Sequence, residues 1–259
     1  GGKTTYFGRL LVNRFKRKGD KFCLLYRFSY ELSDVADKFF KDIGGLFFQG
    51  EEMTSERFCN GKFAKLFLNG QHCGYAISMN DADMVKKYSH FFSDVQSIFF
   101  DEFQSETNHY CNDELNKFQS IHTSIARGQG KQNRYVPVYM CSNGVTVLNP
   151  YYTQFKISSR LRPDTHYMKG AGWVAEFGFV ESASESAKQS AFARAFEGSN
   201  YQTFANENKF LNDNSAFIEK MSGRSKYWCT LIYDGKKYSI KEMTDSNLIY
   251  IDNSYDETC

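Results

Sequence analysis

The sequence predicts an α/β fold: a mostly parallel sheet with helices on both faces, a linker, and the start of a small β-rich domain. Three observations predict it. Segments with helical and strand-like apolar spacing alternate through the first two thirds of the chain. The apolar run IFFDEFQ at Ile98–Gln104 stops at two adjacent acids, as a buried strand does when it reaches the edge of a parallel sheet. GGKTT at Gly1–Thr5 places the ending of a phosphate-binding loop directly before a helical pattern.

The elements follow in order. Tyr6, Leu10, Leu11 and Phe15 recur at helical spacing, which predicts a helix over Thr4–Lys18 stopped by Gly19. Phe22–Phe28 reads as a short buried strand. Leu32, Val35, Phe39 and Phe40 resume helical spacing over Glu31–Ile43, with Gly44-Gly45 as the expected end. Phe63–Met79 reads as a hairpin turning at Asn69-Gly70. Val95–Phe100 is the strand that ends in the acids. Glu114–Arg127 reads as a helix capped by Asn112 or Asp113, and Gly128–Asn133 as a polar loop. Tyr135–Cys141 is a further strand ending at Ser142-Asn143, and Asn149-Pro150 breaks the chain.

The character changes after about Glu181. Ser182–Glu197 is an Ala/Ser-rich helical stretch and Gly198–Asn214 is polar. Tyr227–Tyr233, Lys237–Met243 and Asn247–Ile251 read as a meander turning at Asp234-Gly235 and Asp245-Ser246. The expected organisation is a nucleotide-binding domain over 1–181, a lid or linker over 182–222, and the beginning of a C-terminal domain over 223–259.

Composition narrows the function. The chain has 259 residues, 41% hydrophobic and 17% aromatic, enough for a large packed core. No apolar run approaches the roughly 18 residues of a membrane span, so no membrane partner is expected. Seven cysteines stand as singles at 23, 59, 73, 111, 141, 229 and 259, a pattern of reduced thiols, not of disulfides or a CxxC zinc site. The five histidines lack metal-ligand spacing. A net charge of +2 confines any nucleic-acid contact to local patches. Lys86-Lys87, in a polar stretch between hairpin and acidic strand, is one candidate for DNA contact, although a surface loop is the simpler reading.

The chemistry-bearing residues point to nucleoside triphosphate hydrolysis. Gly2, Lys3 and Thr4 match the last positions of GxxxxGK[ST], with Thr5 beside them. The lysine of such a loop reaches the β and γ phosphates and the hydroxyl binds magnesium. The earlier glycine of the motif lies outside the sequence, so the chain is expected to begin partway through its own site. Asp101 would hold magnesium, partly through water, and Glu102 would polarise the attacking water. Asn143 would sense the γ-phosphate or hold that water. Arg127, closing a helix in SIARGQG, suits either a helix-dipole cation or an arginine finger offered to a neighbouring subunit. Lys16-Arg17-Lys18 reads as a solvated helix end. The alternatives are a helicase-like motor on free nucleic acid and a non-catalytic nucleic-acid-binding or capsid-assembly subunit with a degenerate nucleotide site.

At these residues the chain resembles the φ29-like bacteriophage DNA-packaging ATPases, small relatives of the terminase large subunit. GKTT and IFFDEF carry the resemblance. So do VNRF at Val12–Phe15, YRFSYEL at Tyr26–Leu32, NGQHCGYAI at Asn69–Ile77, CSNGVTVLNPYY at Cys141–Tyr152, NKFLNDNSAFIEK at Asn208–Lys220 and LIYID at Leu248–Asp252. The resemblance implies a P-loop ATPase of the ASCE class, in which Lys3 and Thr4 are the Walker A lysine and hydroxyl, Asp101 the Walker B acid, and Glu102 the catalytic glutamate. Asn143 would lie in the coupling motif. Arg127 would be the trans-acting finger, with Arg134 as a rival because the Arg127–Cys141 segment is longer than in the family. It also implies ATP and Mg2+ as cofactors and a homo-oligomeric ring, typically a pentamer, on the portal of a procapsid in the host cytoplasm. Double-stranded DNA would be the cargo and a packaging RNA a candidate partner. The strands beyond Tyr227 would begin a vestigial RNase H-like domain.

Overall fold

In the computed structural model, the described residues are 2–33, 36–127, 134–162, 165–178, 223–233, 235–244 and 249–252. The chain divides into two compact units, Gly1–Ala216 and Phe217–Cys259.

The first unit is built on a six-stranded sheet. Its strands are β1 (Lys21–Tyr26), β2 (Met53–Phe58), β3 (Phe63–Leu68), β4 (Gln71–Ser78), β5 (Val95–Asp101) and β6 (Val138–Cys141), in spatial order β2-β3-β4-β1-β5-β6. The pairings β1–β4, β1–β5 and β5–β6 are parallel, and the two that attach β2 and β3 are antiparallel. The expected mostly parallel sheet is therefore present, with an antiparallel hairpin extension at one edge.

Alternation along β1 and β5 shows why both faces are covered. Cys23, Leu25, Ile98 and Phe100 enter one core, shared with α3 (Ala82–Lys87), α4 (Glu114–Ala126) and α5 (Pro150–Gln154). Phe22, Leu24 and Phe99 enter a second core with α1 (Lys3–Lys18) and α2 (Lys41–Phe47), through Leu11, Val12 and Ile43. Each large apolar side chain so buried contributes about 1.5–3 kcal/mol. A strand buried on both faces reads as a continuous apolar run, which is why FCLLY and IFF stand out in the sequence.

Several sequence expectations shift. α1 starts one residue earlier than expected, and its stop is as read: Gly19 takes φ 72° and donates its amide to Phe15 at 2.7 Å. Glu31–Ile43 is not one helix. A 3-10 turn covers Ser29–Leu32, a π-helical turn covers Ala36–Phe40, and α2 follows. Leu32, Phe39 and Phe40 are buried as their spacing implied, so the periodicity reported a core-facing side, not an unbroken helix. Gly44-Gly45 lie inside α2. The strand expected from Tyr135 begins at Val138, because Pro137 has no N–H to give the ladder, although its carbonyl accepts from Ile98 at 3.0 Å. Asn149-Pro150 starts a helix instead of breaking one: the Asn149 side chain accepts from the Tyr152 amide and proline occupies the first turn. At α4, Asp113 holds the cap position in the left-handed region, with no capping bond from its side chain.

β2 was not foreseen, nor was the hairpin of β7 (Tyr167–Gly170) and β8 (Trp173–Glu176). β2 is a polar, exposed edge strand specified by backbone pairing with β3, so it carries no apolar signature.

The second unit contains β9 (Ser225–Tyr233), β10 (Lys236–Met243) and β11 (Ile249–Asp252), an antiparallel meander as expected. The indole N–H of Trp228 donates to Glu242 across β9 and β10 at 3.0 Å. The expected Gly128–Asn133 loop, the expected Ser182–Glu197 helix, the polar Gly198–Asn214 stretch, the whole 182–222 linker with its NKFLNDNSAFIEK motif, Val35, Asp234 and the expected Asp245-Ser246 turn lie outside the described residues. Among the described residues no helix is long and apolar enough to cross a membrane.

Candidate active site

The register sets the site. Tyr26 pairs with Ser78, Leu25 with Phe100, and Asp101 with Cys141, so β4, β1, β5 and β6 end along one line. The segments following these strands therefore share one edge, the usual ligand edge of a parallel sheet. A cavity of about 720 Å³ opens there, lined among others by Gly2, Thr4, Thr5, Asp101, Glu102 and Asn143.

Gly2 enters α1 from the left-handed region, φ 81°, with no side-chain cap on the helix. The first intrahelical bond runs from the Tyr6 amide to the Gly2 carbonyl, so the earlier amides lack helical partners. Unsatisfied N–H groups at the positive end of a 16-residue helix favour an anion. Two side chains of this turn reach the sheet edge. Thr4 Oγ1 donates to Asp101 Oδ2 at 2.5 Å, and Lys3 Nζ donates to Asn143 Oδ1 at 3.0 Å. Thr5 is half-buried beside them.

Asp101 ends β5, and its second oxygen accepts from the Glu102 amide at 3.1 Å. Burial raises the Asp101 carboxyl above the usual range, against the opposing pull of Thr4, the Glu102 amide and Lys3. The Glu102 carboxyl is accessible but is also raised, first by partial loss of hydration and then by repulsion from Asp101, Glu106 and Glu31. Glu102 takes φ 50°, a conformation unusual for a residue with a side chain and costing on the order of 1 kcal/mol or more. Two acids whose negative charge is only partly compensated, next to a hydroxyl, form a donor set suited to a hard divalent cation.

A buried network missed in the sequence holds this turn. Arg27, just past β1, makes a two-pronged ion pair with Glu114, at 2.9 and 3.1 Å. It also donates to the carbonyls of Phe103 at 2.7 Å and Glu102 at 3.4 Å. Its guanidinium lies between the rings of Phe100 and Tyr110. Glu114 in turn accepts from the Cys111 amide and the Tyr151 hydroxyl. Burial opposes the Arg27 charge, and Glu114 more than restores it. The available signal was an arginine directly after FCLLY and a glutamate at the first position of the predicted helix.

Arg127 is not brought to this cluster. α4 starts beside Arg27 and runs back to the opposite edge, where Arg127 sits exposed at its C-terminus. Arg134 is engaged within the chain, donating to the carbonyls of Val95 at 3.0 Å and Ile125 at 2.8 Å. Lys86 and Lys87 close α3 instead of lying in a loop, because the apolar Ala82 and Val85 anchor that turn in the core. Their helix leads back toward the start of β5, away from Asp101. Both are exposed, and Lys87 Nζ stands 5.5 Å from the Tyr88 ring centroid.

The chain as a whole is similar to known proteins. The DNA packaging protein of Bacillus phage phi29 is 25% identical over 247 residues, spanning 95% of this chain and 70% of that protein. The DNA packaging protein of Bacillus phage B103 is 25% identical over 262 residues, spanning 98% and 75%. Among solved structures, the bacteriophage Phi-29 viral genome packaging motor assembly superposes with a TM-score of 0.57 at 24% identity, covering 98% of this chain and 74% of that one. The crystal structure of the N-terminal domain of the DNA packaging ATPase from bacteriophage phi29 gives 0.53 at 22%, covering 68% and 84%. At these identities the structural likeness establishes the shared fold. The family description "Podovirus DNA encapsidation protein (Gp16)" matches residues 1–259, the whole sequence, and the chain belongs to that family.

Proposed function

We propose that this chain is the ATP-hydrolysing subunit of a motor that drives double-stranded DNA into a viral procapsid. One observation carries the reading: Lys3 and Thr4, adjacent at the start of α1, contact Asn143 and Asp101 at the ends of two neighbouring strands. A helix terminus, a hydroxyl and two acids thus line one cavity, with Lys3 bonded to Asn143 of its wall, in a chain of the DNA-encapsidation family.

In this reading the α1 amides and Lys3 receive the triphosphate of ATP, and Thr4 and Asp101 hold Mg2+, Asp101 partly through water. The ion supplies neutralisation of phosphate charge. Glu102 orients the attacking water and accepts its proton; a raised carboxyl pKa makes it a better base than an ordinary glutamate. Asn143 holds the water or senses the γ-phosphate. Arg127, remote from its own site and exposed, serves the site of a neighbouring subunit in a ring, proposed as a pentamer on the procapsid portal in the host cytoplasm. Arg134 is set aside for that role because backbone carbonyls of its own chain occupy its guanidinium. A packaging RNA is a further proposed partner. Lys86 and Lys87 are proposed contacts to the DNA backbone; if so, their replacement lowers the salt dependence of DNA binding.

The test is Glu102→Gln. Hydrolysis should fall by about 10²–10⁴ while ATP binding is retained. Turnover comparable to that of the unaltered protein removes Glu102 from its role.

A further inference from the structure

We infer that Gln104 is a positioning residue that ties the Asp101–Glu102 turn to the Asn143 segment, so that the two sides of the site hold one geometry. The inference rests on the ATPase reading for its kinetic consequence, but not for its structural basis. Gln104 lies two residues past Glu102 and is 3% exposed. Its Oε1 accepts from two successive amides, Val145 at 3.0 Å and Thr146 at 3.2 Å, just beyond Asn143. A parallel backbone bond, from the Phe103 amide to the Cys141 carbonyl at 3.1 Å, joins the same two segments one step earlier. Beyond Thr146, the segment is fixed by the Asn149 amide group donating to the Thr146 carbonyl at 2.8 Å. Asn143 thus lies on a short span between β6 and an anchored stretch, opposite Lys3.

The residue type fits this task. A carboxamide oxygen has two lone pairs, and both are used here. A carboxylate would accept the same bonds but would add a third acid beside Asp101 and Glu102. An apolar side chain would take away the acceptor that both buried amides use. The Gln104 amide nitrogen is buried and has no partner but the nearby Tyr152 phenol, with which it does not reach normal hydrogen-bond geometry. The oxygen is therefore the working end.

The experiment uses the full chain with Gln104→Met and Gln104→Glu. In Gln104→Met, hydrogen exchange at the Val145 and Thr146 amides should accelerate by about tenfold or more while that of α1 is unchanged. The kcat for ATP should fall by about tenfold or more with KM within about twofold, the pattern of lost positioning and not of lost substrate binding. In Gln104→Glu, whose oxygens still accept, both amides should stay protected; this variant decides if the methionine protein does not fold. Unchanged exchange in Gln104→Met, full kcat in that variant, or loss of protection in Gln104→Glu overturns the inference. If the unaltered protein hydrolyses no ATP, the ATPase reading fails by itself, and the exchange result still decides the role of Gln104.

Discussion

The Thr4 hydroxyl lies 2.5 Å from the Asp101 carboxylate across 97 positions of sequence. This bond joins the first turn of α1 to the end of β5, and it does so at a carboxyl group that burial holds above its ordinary range. An arrangement that strips a carboxylate of water without a full counter-charge costs stability, and such costs are typical of sites built to receive a cation.

The first prediction follows from the sign of that shift. A carboxyl raised in the folded state contributes stability that is fully present below its unfolded value and is lost as pH rises through the folded value. At neutral pH both Asp101 and Glu102 have lost it. Asp101→Asn keeps an oxygen to accept from Thr4 but carries no charge. Without nucleotide or magnesium it should raise stability by about 0.5–2 kcal/mol near pH 7. The gain should shrink as pH falls through the raised folded value and be gone near the unfolded value of about 4, where the unaltered carboxyl is protonated in both states. Thermal melts between pH 4 and 8 check this; a lower Tm for Asp101→Asn at pH 7 would sink it.

The second concerns Arg27 and Glu114. Their pair is almost fully enclosed, with exposures of 8% and 4%. Removing one partner leaves a buried charge uncompensated, so Arg27→Met should cost about 3–5 kcal/mol. The double variant Arg27→Met, Glu114→Gln should cost less than the sum of the singles, because no charge is then stranded. Denaturant unfolding of the four proteins measures the coupling. Simple additivity would mean that the two side chains act independently.

The parts legible in sequence share a physical cause. FCLLY and IFFDEF were readable because a strand buried on both faces leaves an uninterrupted apolar run, and the acids mark where the strand ends. GKTT stood out because its residue types match those of a phosphate-binding loop before a helix. Asn143 stood out as the residue closing the next strand. Arg27, Glu114 and Gln104 were not assigned roles, since their partners lie 87 positions away for Arg27 and 41 and 42 for Gln104. No local period encodes such distances. β2 was missed because its pairing is made by backbone, and the broken helix after Leu32 because burial on one side is compatible with several helical geometries.

The last prediction tests Arg127. Its helix places it at the sheet edge opposite Asp101, so it cannot serve the site of its own subunit in this conformation, while its exposure leaves it available to a neighbour. If it acts as a finger in trans, Arg127→Ala should lower turnover by about 10³–10⁵ without loss of ATP binding. Lys3→Ala should be inactive for a different reason, in its own subunit. In a ring closed by head-to-tail contacts, random equal mixing of the two variants pairs an intact Lys3 with an intact neighbouring Arg127 at about a quarter of the interfaces. Activity should therefore reappear on mixing two inactive proteins, toward that fraction of the unaltered rate. Arg134→Ala offers the contrast: it removes the bonds to Val95 and Ile125 and should lower Tm, while turnover of the folded protein persists without mixing. Full turnover in isolated Arg127→Ala, or no recovery in mixtures that demonstrably co-assemble, would take the finger role from Arg127.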